Sequence, residues 1–421
     1  MVRDLFRLAG PLIVTQLGMV LYGTVDILFV SPLGPEAIGG VGLASVTYFT
    51  VFIFGMGALM GVDPLSARAH GAGEHEEWAR LLGHNLVLAV ALAVPSWAAF
   101  SLAEPVYRLI AVEARTRELA LSYVEIVRWA VFPGLAFVAC RQSLQTMNVT
   151  RPLMLAIALG NVANALLDWK LIPLIGVRGS AVATLTANAV MLAVVAAAVP
   201  RWRLGSWRPE VWRAILKTGL PGGAQFLAEV AVFSLVTALV GRLGPVSLAA
   251  NQIVLNLASV TFMIPMGLSH AAAARVGQGL GRRRPADAVA AGNAAMLLST
   301  VFMSAMALVF ALVPRRTLGL YTDDAQILDL GVRLLYAAAV FQVFDGLQAV
   351  LTGALRGAGH TKQALYANLL GHWAVGLPLG CWLAFGRGWG ALGLWVGLCA
   401  GLIVVSIRLW LGWRAISRQL A

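Results

Sequence analysis

Residues 21–35 read LYGTVDILFVSPLGP, and residues 233–245 read FSLVTALVGRLGP. The two LGP triplets, Leu33-Gly34-Pro35 and Leu243-Gly244-Pro245, stand 210 positions apart. Pro11 and Pro221 keep the same separation, as do Met56-Gly57 and Met266-Gly267. After small loop adjustments Ala67-Arg68 matches Ala274-Arg275, Val131-Phe132 matches Val340-Phe341, and TRP at 150–152 resembles TKQ at 361–363. One unit is therefore written twice. The copies differ at an informative place: where the first has Asp26, the second has Val236. A carboxylate in an otherwise apolar stretch calls for a reason.

Hydrophobic residues make up 59% of the 421-residue chain, and the mean hydropathy is +0.81. Charged residues are only 12%, about half the fraction usual in soluble proteins. Long runs such as 81–103, 119–140, 181–199, 286–313, 363–385 and 391–413 hold few charges and suit membrane-spanning helices of roughly 20 residues. About twelve such runs fall between the basic and Gly/Pro breaks, so the expected fold is an all-α membrane protein with about six helices in each half. An even number returns the chain to its starting side, and the halves run parallel, related by an axis along the membrane normal. The expected boundaries are an N-terminal lobe over 1–200, a linker over 201–213, and a C-terminal lobe over 214–421. The linker, RWRLGSWRPEVWR, is polar, basic and broken by Pro209. Two lobes facing each other across a cleft suit alternating access. Duplication alone also suits a channel or a purely structural bundle, so the placement of polar residues must decide.

The formal net charge of +12 does not imply nucleic acid. Basic residues cluster at Arg3 and Arg7, Arg201 to Lys217, Arg275 to Arg284, Arg356 to Lys362, and Arg408 to Arg418. With both termini cytoplasmic, about twenty Lys and Arg fall on the cytoplasmic side and about eleven at the outer side. Basic loops facing anionic lipid account for the charge. Cys140, Cys381 and Cys399 lie in apolar runs without CxxC spacing, so no disulfide framework or zinc site is implied. No cleavable signal peptide is expected, because the first apolar run is long enough to span and contains Asp26. The NVT at 148–150 matches a glycosylation sequon, but it falls at an expected cytoplasmic loop.

Of nineteen acidic residues, four cannot be placed at loops or helix ends: Asp26, Asp168, Glu229 and Asp345. Each costs roughly 2.5–3.5 kcal/mol if charged at the bilayer centre, a cost relieved by an arriving proton or sodium ion. Asn161, Asn164 and Asp168 share one helical face, and so do Gln342, Asp345, Gln348 and Thr352. Gln225 lies one turn before Glu229, and Tyr22 one turn before Asp26; Gln142, Gln145 and Asn148 form a further stripe. Any one stripe could be glue between helices. As a set in both halves, they read as a lined cleft with neutral oxygens beside acids, which is what a cation site needs.

At these residues the chain resembles the MATE family, multidrug and toxic compound extrusion. AGPLIVTQL with GTVDILFV resembles the family's first helix, and LPGGAQFLAEVAVF its seventh. LGPVSLAANQI with FMIPMGLSHAAAARVGQGLG resembles its eighth helix and loop, and VFDGLQAVLTGALRGAGHTK its tenth. The resemblance covers nearly the whole chain. It implies twelve helices in two V-arranged lobes, and a cation-coupled antiporter that expels organic cations or other drugs. Asp26, Asn164 and Asp168 match an N-lobe cation site of the DinF-like and archaeal branch, with Thr184 completing it and Thr186 as its competitor. Glu229 and Asp345 match the C-lobe acids of the NorM-like branch. Phe341 stands where some NorM relatives have a Tyr, and Asn251 where the family has a His, which weakens a C-lobe sodium site.

The expected function is therefore secondary antiport of cationic or amphipathic compounds against H⁺ or Na⁺. Asp26, Asn164, Asp168 and Thr184 are the coupling residues, Glu229 and Asp345 a second acidic site, and Tyr22, Gln142, Asn251 and Gln342 candidates for the substrate cavity. No P-loop is present, which favours ion coupling over ATP. No HExxH or other catalytic motif is present, so an enzyme is not expected, and no cofactor beyond the coupling ion is expected. The expected setting is a monomer in the cytoplasmic membrane, with lipid and small molecules as its partners. The rival reading is a flippase for lipid-linked oligosaccharides, which would want Arg or Lys in the cleft. Arg128 and Arg333 lie near outer helix ends instead.

Overall fold

The computed structural model describes residues 2–200 and 208–420. Regular structure among them is helical throughout, and twelve helices are long and apolar enough to cross a membrane. In chain order they are α1 (Leu8–Leu33), α2 (Pro35–Gly71), α3 (His75–Leu109), α4 (Ala114–Thr146), α5 (Arg151–Ile175) and α6 (Val177–Ala197). The second half repeats the set as α7 (Pro209–Gly241), α8 (Pro245–Gly281), α9 (Pro285–Leu312), α10 (Ala325–Gly357), α11 (Thr361–Gly386) and α12 (Gly390–Gln419). Residues 201–207 of the expected linker lie outside the described residues; Pro209 opens α7.

The duplication seen in the sequence is also a duplication of backbone geometry. Gly34 ends one helix and caps the next with φ 101° and ψ 171°, and Gly244 does so with φ 107° and ψ 169°. Only glycine adopts that region without strain, so each LGP turn needs its Gly, while the following Pro opens the next helix at its first position. The loops agree as well. Glu74 N–H donates to Ala69 O at 2.9 Å beyond Gly73 at φ 79°, and Arg284 N–H donates to Gly279 O at 2.9 Å beyond Arg283 at φ 57°. The α4–α5 and α10–α11 loops use the same left-handed cap, at Asn148 and Gly359, a Schellman arrangement that satisfies the last carbonyls. Asn148 of the sequon is thus a turn residue.

By internal contacts the chain divides into two compact units, one of Val14–Gly223, the other of Met1–Ile13 with Ala224–Ala421. The breaks fall two residues after Pro11 and two after Pro221, each inside a helix. In the first unit, Val41, Ala44, Tyr107, Tyr123, Val127 and Ala181 belong to a core of α2, α3, α4 and α6. In the second, Val240, Val254, Leu335 and Trp395 centre one cluster and Leu351, Leu355 and Trp413 another. The GLCAG at 397–401 is a close-packing device: a Cβ on Gly397 would lie 2.3 Å from Gly380 Cα, and one on Gly401 would lie 2.6 Å from Gly371 O. Small residues allow that approach where lipid provides no hydrophobic drive between helices.

Burial is reversed relative to a water-soluble protein. On α5, Leu166 and Trp169 are 59% and 69% exposed, while Asn164 and Asp168 on the opposite face are fully buried. On α9, Leu297, Val301, Leu308 and Leu312 form an exposed apolar stripe. Such stripes are tolerated in hydrocarbon, where the polar groups must turn inward.

Candidate functional site

The polar residues gather into two clusters, one in each unit. In the N-terminal unit, α1 brings Asp26, α5 brings Asn164 and Asp168, and α6 brings Thr184; all four are buried. Thr184 Oγ1 donates to Asp26 Oδ2 at 3.3 Å. Asn164 and Asp168 stand close enough to act on the Asp26 carboxylate. Yet no hydrogen bond of ordinary geometry reaches Asp26 Oδ1, either Asp168 oxygen or either end of the Asn164 amide. Two carboxyl groups, an amide oxygen and a hydroxyl thus converge with three of the four carboxyl oxygens and the amide oxygen unpartnered. Buried polar atoms ordinarily find partners, and a proton or a sodium ion would serve the unpartnered oxygens.

The surrounding contacts hold the cluster in place. Tyr22 Oη donates to Thr184 O at 3.1 Å, Tyr123 Oη lies 3.2 Å from Thr184 Oγ1, and Asn188 Nδ2 donates to Thr184 O at 2.9 Å. Ser180, one turn before Thr184, stands within reach of Asp168. Thr186 instead donates to its own helix at Val182 O, 2.8 Å away, so of the two competing threonines the fold brings Thr184 to the acids. Sequence reasoning missed Tyr123 and Ser180. Ser180 was legible as the one-turn neighbour of Thr184; Tyr123 was not, because its role comes from α4 packing beside α6.

In the C-terminal unit, Glu229 on α7 faces the polar stripe of α10. Gln348 Nε2 donates to Glu229 Oε1 at 2.9 Å, and Asn368 Nδ2 of α11 approaches Oε2 at 3.5 Å. Asp345 is buried on α10, one turn before Gln348. Gln342, Gln348 and Thr352 are buried along the same face, as their spacing predicts. Gln342 Oε1 accepts from Thr261 at 3.1 Å, and Asn251 Oδ1 accepts from the Trp395 indole at 2.9 Å. Phe341 packs edge-on against Phe233 and Trp395. The four cavity candidates divide accordingly: Tyr22 and Gln142 belong to the N-terminal unit, Asn251 and Gln342 to the C-terminal one. Gln142 is fully buried, and neither of its amide atoms has a partner among the described residues. Asn368 was missed, though it is an amide in an apolar run. Residues Leu369–Gly376 form a π-helical stretch, a rare geometry that concentrates at functional sites.

A family model described as MatE matches residues 11–170 and 221–382, once in each half. The chain belongs to the MATE family. Its relatives include "Multidrug resistance protein NorM" of Burkholderia vietnamiensis, 36% identical over 430 residues, covering 98% of this chain and 93% of the relative. "Probable multidrug resistance protein NorM" of Brucella suis biovar 1 is 32% identical over 436 residues, covering 97% and 92%. Among solved structures, a MOP superfamily transporter from Pyrococcus furiosus superposes with a TM-score of 0.92 at 22% identity, covering 100% of this chain and 96% of that one. A multidrug resistance MATE transporter described in an outward-facing conformation gives 0.91 at 22% identity, covering 99% and 96%. At that identity the likeness shows the MATE fold, and with it the twelve-helix arrangement.

Proposed function

We propose that this MATE protein is a secondary antiporter that exports cationic or amphipathic small molecules in exchange for H⁺ or Na⁺ by alternating access. It would act in the cytoplasmic membrane with both termini on the cytoplasmic side, as a monomer without a resident cofactor and without catalytic chemistry. The observation that carries this reading is the pair Asp26 and Asp168, buried together with three of their four oxygens unpartnered. Its kinship with proteins named for multidrug resistance supports the substrate class. The flippase reading would need cationic groups where these clusters hold acids.

The chemistry follows from the charge. Two carboxylates in a dry pocket cannot both stay ionised without a counter-charge. With the outer face open, a proton or Na⁺ enters and neutralises the pair, with Asn164 and Thr184 supplying neutral oxygens to Na⁺. Neutralisation weakens the hold on a cationic substrate and lets α1 repack, which drives release. With the inner face open, the ion leaves and the bared carboxylates favour the next substrate. Glu229, steadied by Gln348 and Asn368, and Asp345 would form a second site for a cation or for the substrate. Each net charge carried inward per cycle across about 100 mV contributes roughly 2.3 kcal/mol, enough for about fifty-fold accumulation; a one-for-one exchange against a monovalent cation carries none and draws on the ion gradient alone.

Displacement tests this scheme. A cationic dye bound to the purified protein should dissociate when Na⁺ or acid is added. In Asp168→Asn the dye should stay bound at ion concentrations that release it from the wild type. Unaltered displacement in that variant would remove the N-terminal cluster from the mechanism.

A further inference from the structure

A third polar site lies away from both clusters, at the end of the N-terminal unit where α6 begins. An open cleft of about 350 Å³ is bordered by Glu125, Ile126, Arg128, Trp129 and Arg178. Arg128 makes no ion pair among the described residues. Its guanidinium lies instead against a pair of indoles, 4.8 Å from the Trp97 ring and 5.9 Å from that of Trp129, whose centroids are themselves 5.2 Å apart. The Arg128 Nε–H and the Trp97 indole N–H have no acceptor among the described residues. Arg178 stands opposite, 3.5 Å from Glu125 and more than half exposed.

The depth of this cleft bears on what it could bind. A helix of the length of Val177–Ala197 measures about 31 Å, close to the hydrocarbon thickness of a bilayer. Arg178 is its second residue, so the cleft sits at the boundary between hydrocarbon and headgroups. Trp97 and Trp129 are placed as interfacial aromatics are. Val94 and Leu102 on α3, the helix that carries Trp97, are exposed and apolar, as a helix facing acyl chains is. Glu125 offsets one of the two guanidinium charges, and the remaining positive charge with an unsatisfied indole N–H calls for an anion with several oxygens, for which the planar fork of Arg fits phosphate.

From this geometry we infer that the Arg128–Arg178 cleft binds the phosphate group of a membrane phospholipid. The site is separate from the antiport machinery and does not depend on the proposed function. The full chain in detergent should be titrated with dioctanoyl phosphatidylglycerol, dioctanoylglycerol and inorganic phosphate, with bound species counted by native mass spectrometry. Phosphatidylglycerol should bind about tenfold more weakly to Arg128→Gln and a few-fold more weakly to Arg178→Gln, whose exposed position leaves folding intact if the first variant fails to fold. Phosphatidylglycerol binding that withstands a large excess of inorganic phosphate assigns the site to lipid; full competition assigns it to free phosphate, which upholds the anion chemistry but overturns the lipid. Binding unchanged in both variants, or dioctanoylglycerol binding as tightly as the phospholipid, overturns the site.

Discussion

Thr184 carries more of the N-terminal cluster than its size suggests. Its hydroxyl touches Asp26 and Tyr123, while its carbonyl receives Tyr22 and Asn188. Thr184→Val should keep the volume but leave the Asp26 oxygen without its donor, costing roughly 1–3 kcal/mol of cation affinity. Thr184→Ser should restore most of it, and Thr186→Val should change little. Cation-dependent dye release from the purified variants measures this, and equal effects at 184 and 186 would contradict the geometry. The acids themselves were legible because a carboxylate in an apolar run is conspicuous. Tyr123 was not, since a lone tyrosine in an apolar helix looks like packing until the neighbouring helix is known.

Single elements are held by devices that recur in both halves. Glu113 caps α4 by accepting from Arg115 N–H at 2.9 Å and Thr116 N–H at 2.8 Å. Asp324 caps α10 by accepting from Gln326 N–H at 2.8 Å and Ile327 N–H at 3.1 Å. These backbone bonds hold the Glu113 carboxyl below its ordinary range. A depressed value means the cap is fully engaged above the ordinary glutamate range and is lost as pH falls through the lowered value. Amide exchange at the start of α4 should therefore quicken on acidification, and Glu113→Gln should flatten that response. Asp324→Ala should cost about 1 kcal/mol, read as a lower midpoint of thermal unfolding. The α11–α12 seam is less forgiving. Gly397→Val would drive a side chain into Gly380 and should cost about 3 kcal/mol or more, seen as lost monodisperse yield. The GxxxG spacing of GLCAG is of the kind that accompanies close helix packing, whereas the π-helical stretch of α11 had no sequence signal, because a π turn arises from how a helix must fit its neighbours.

Across the whole molecule, hydrophobicity and repetition made the fold readable. Runs of about 20 apolar residues admit only helices in a bilayer, and the repeated LGP turns placed the halves in register. The helices overrun those runs, as α2 and α8 do, because their ends continue beyond the hydrocarbon. What the sequence could not convey was where the repeat exchanges its parts. The first turns of α1 count with the C-terminal unit and those of α7 with the N-terminal one, a matter of packing and not of local pattern. The partition of acids between halves, by contrast, was written plainly: Asp26 in the first copy has Val236 for its counterpart. That asymmetry leads to the central claim, that the ion coupling resides in the N-terminal unit. The direct measurement is efflux of a cationic dye from proteoliposomes under an imposed Na⁺ gradient alone, and then a pH gradient alone, for the wild type and Asp26→Asn. The wild type should move dye uphill under at least one gradient, and Asp26→Asn should leave only downhill equilibration. Uphill transport by Asp26→Asn at the wild-type rate would contradict the claim.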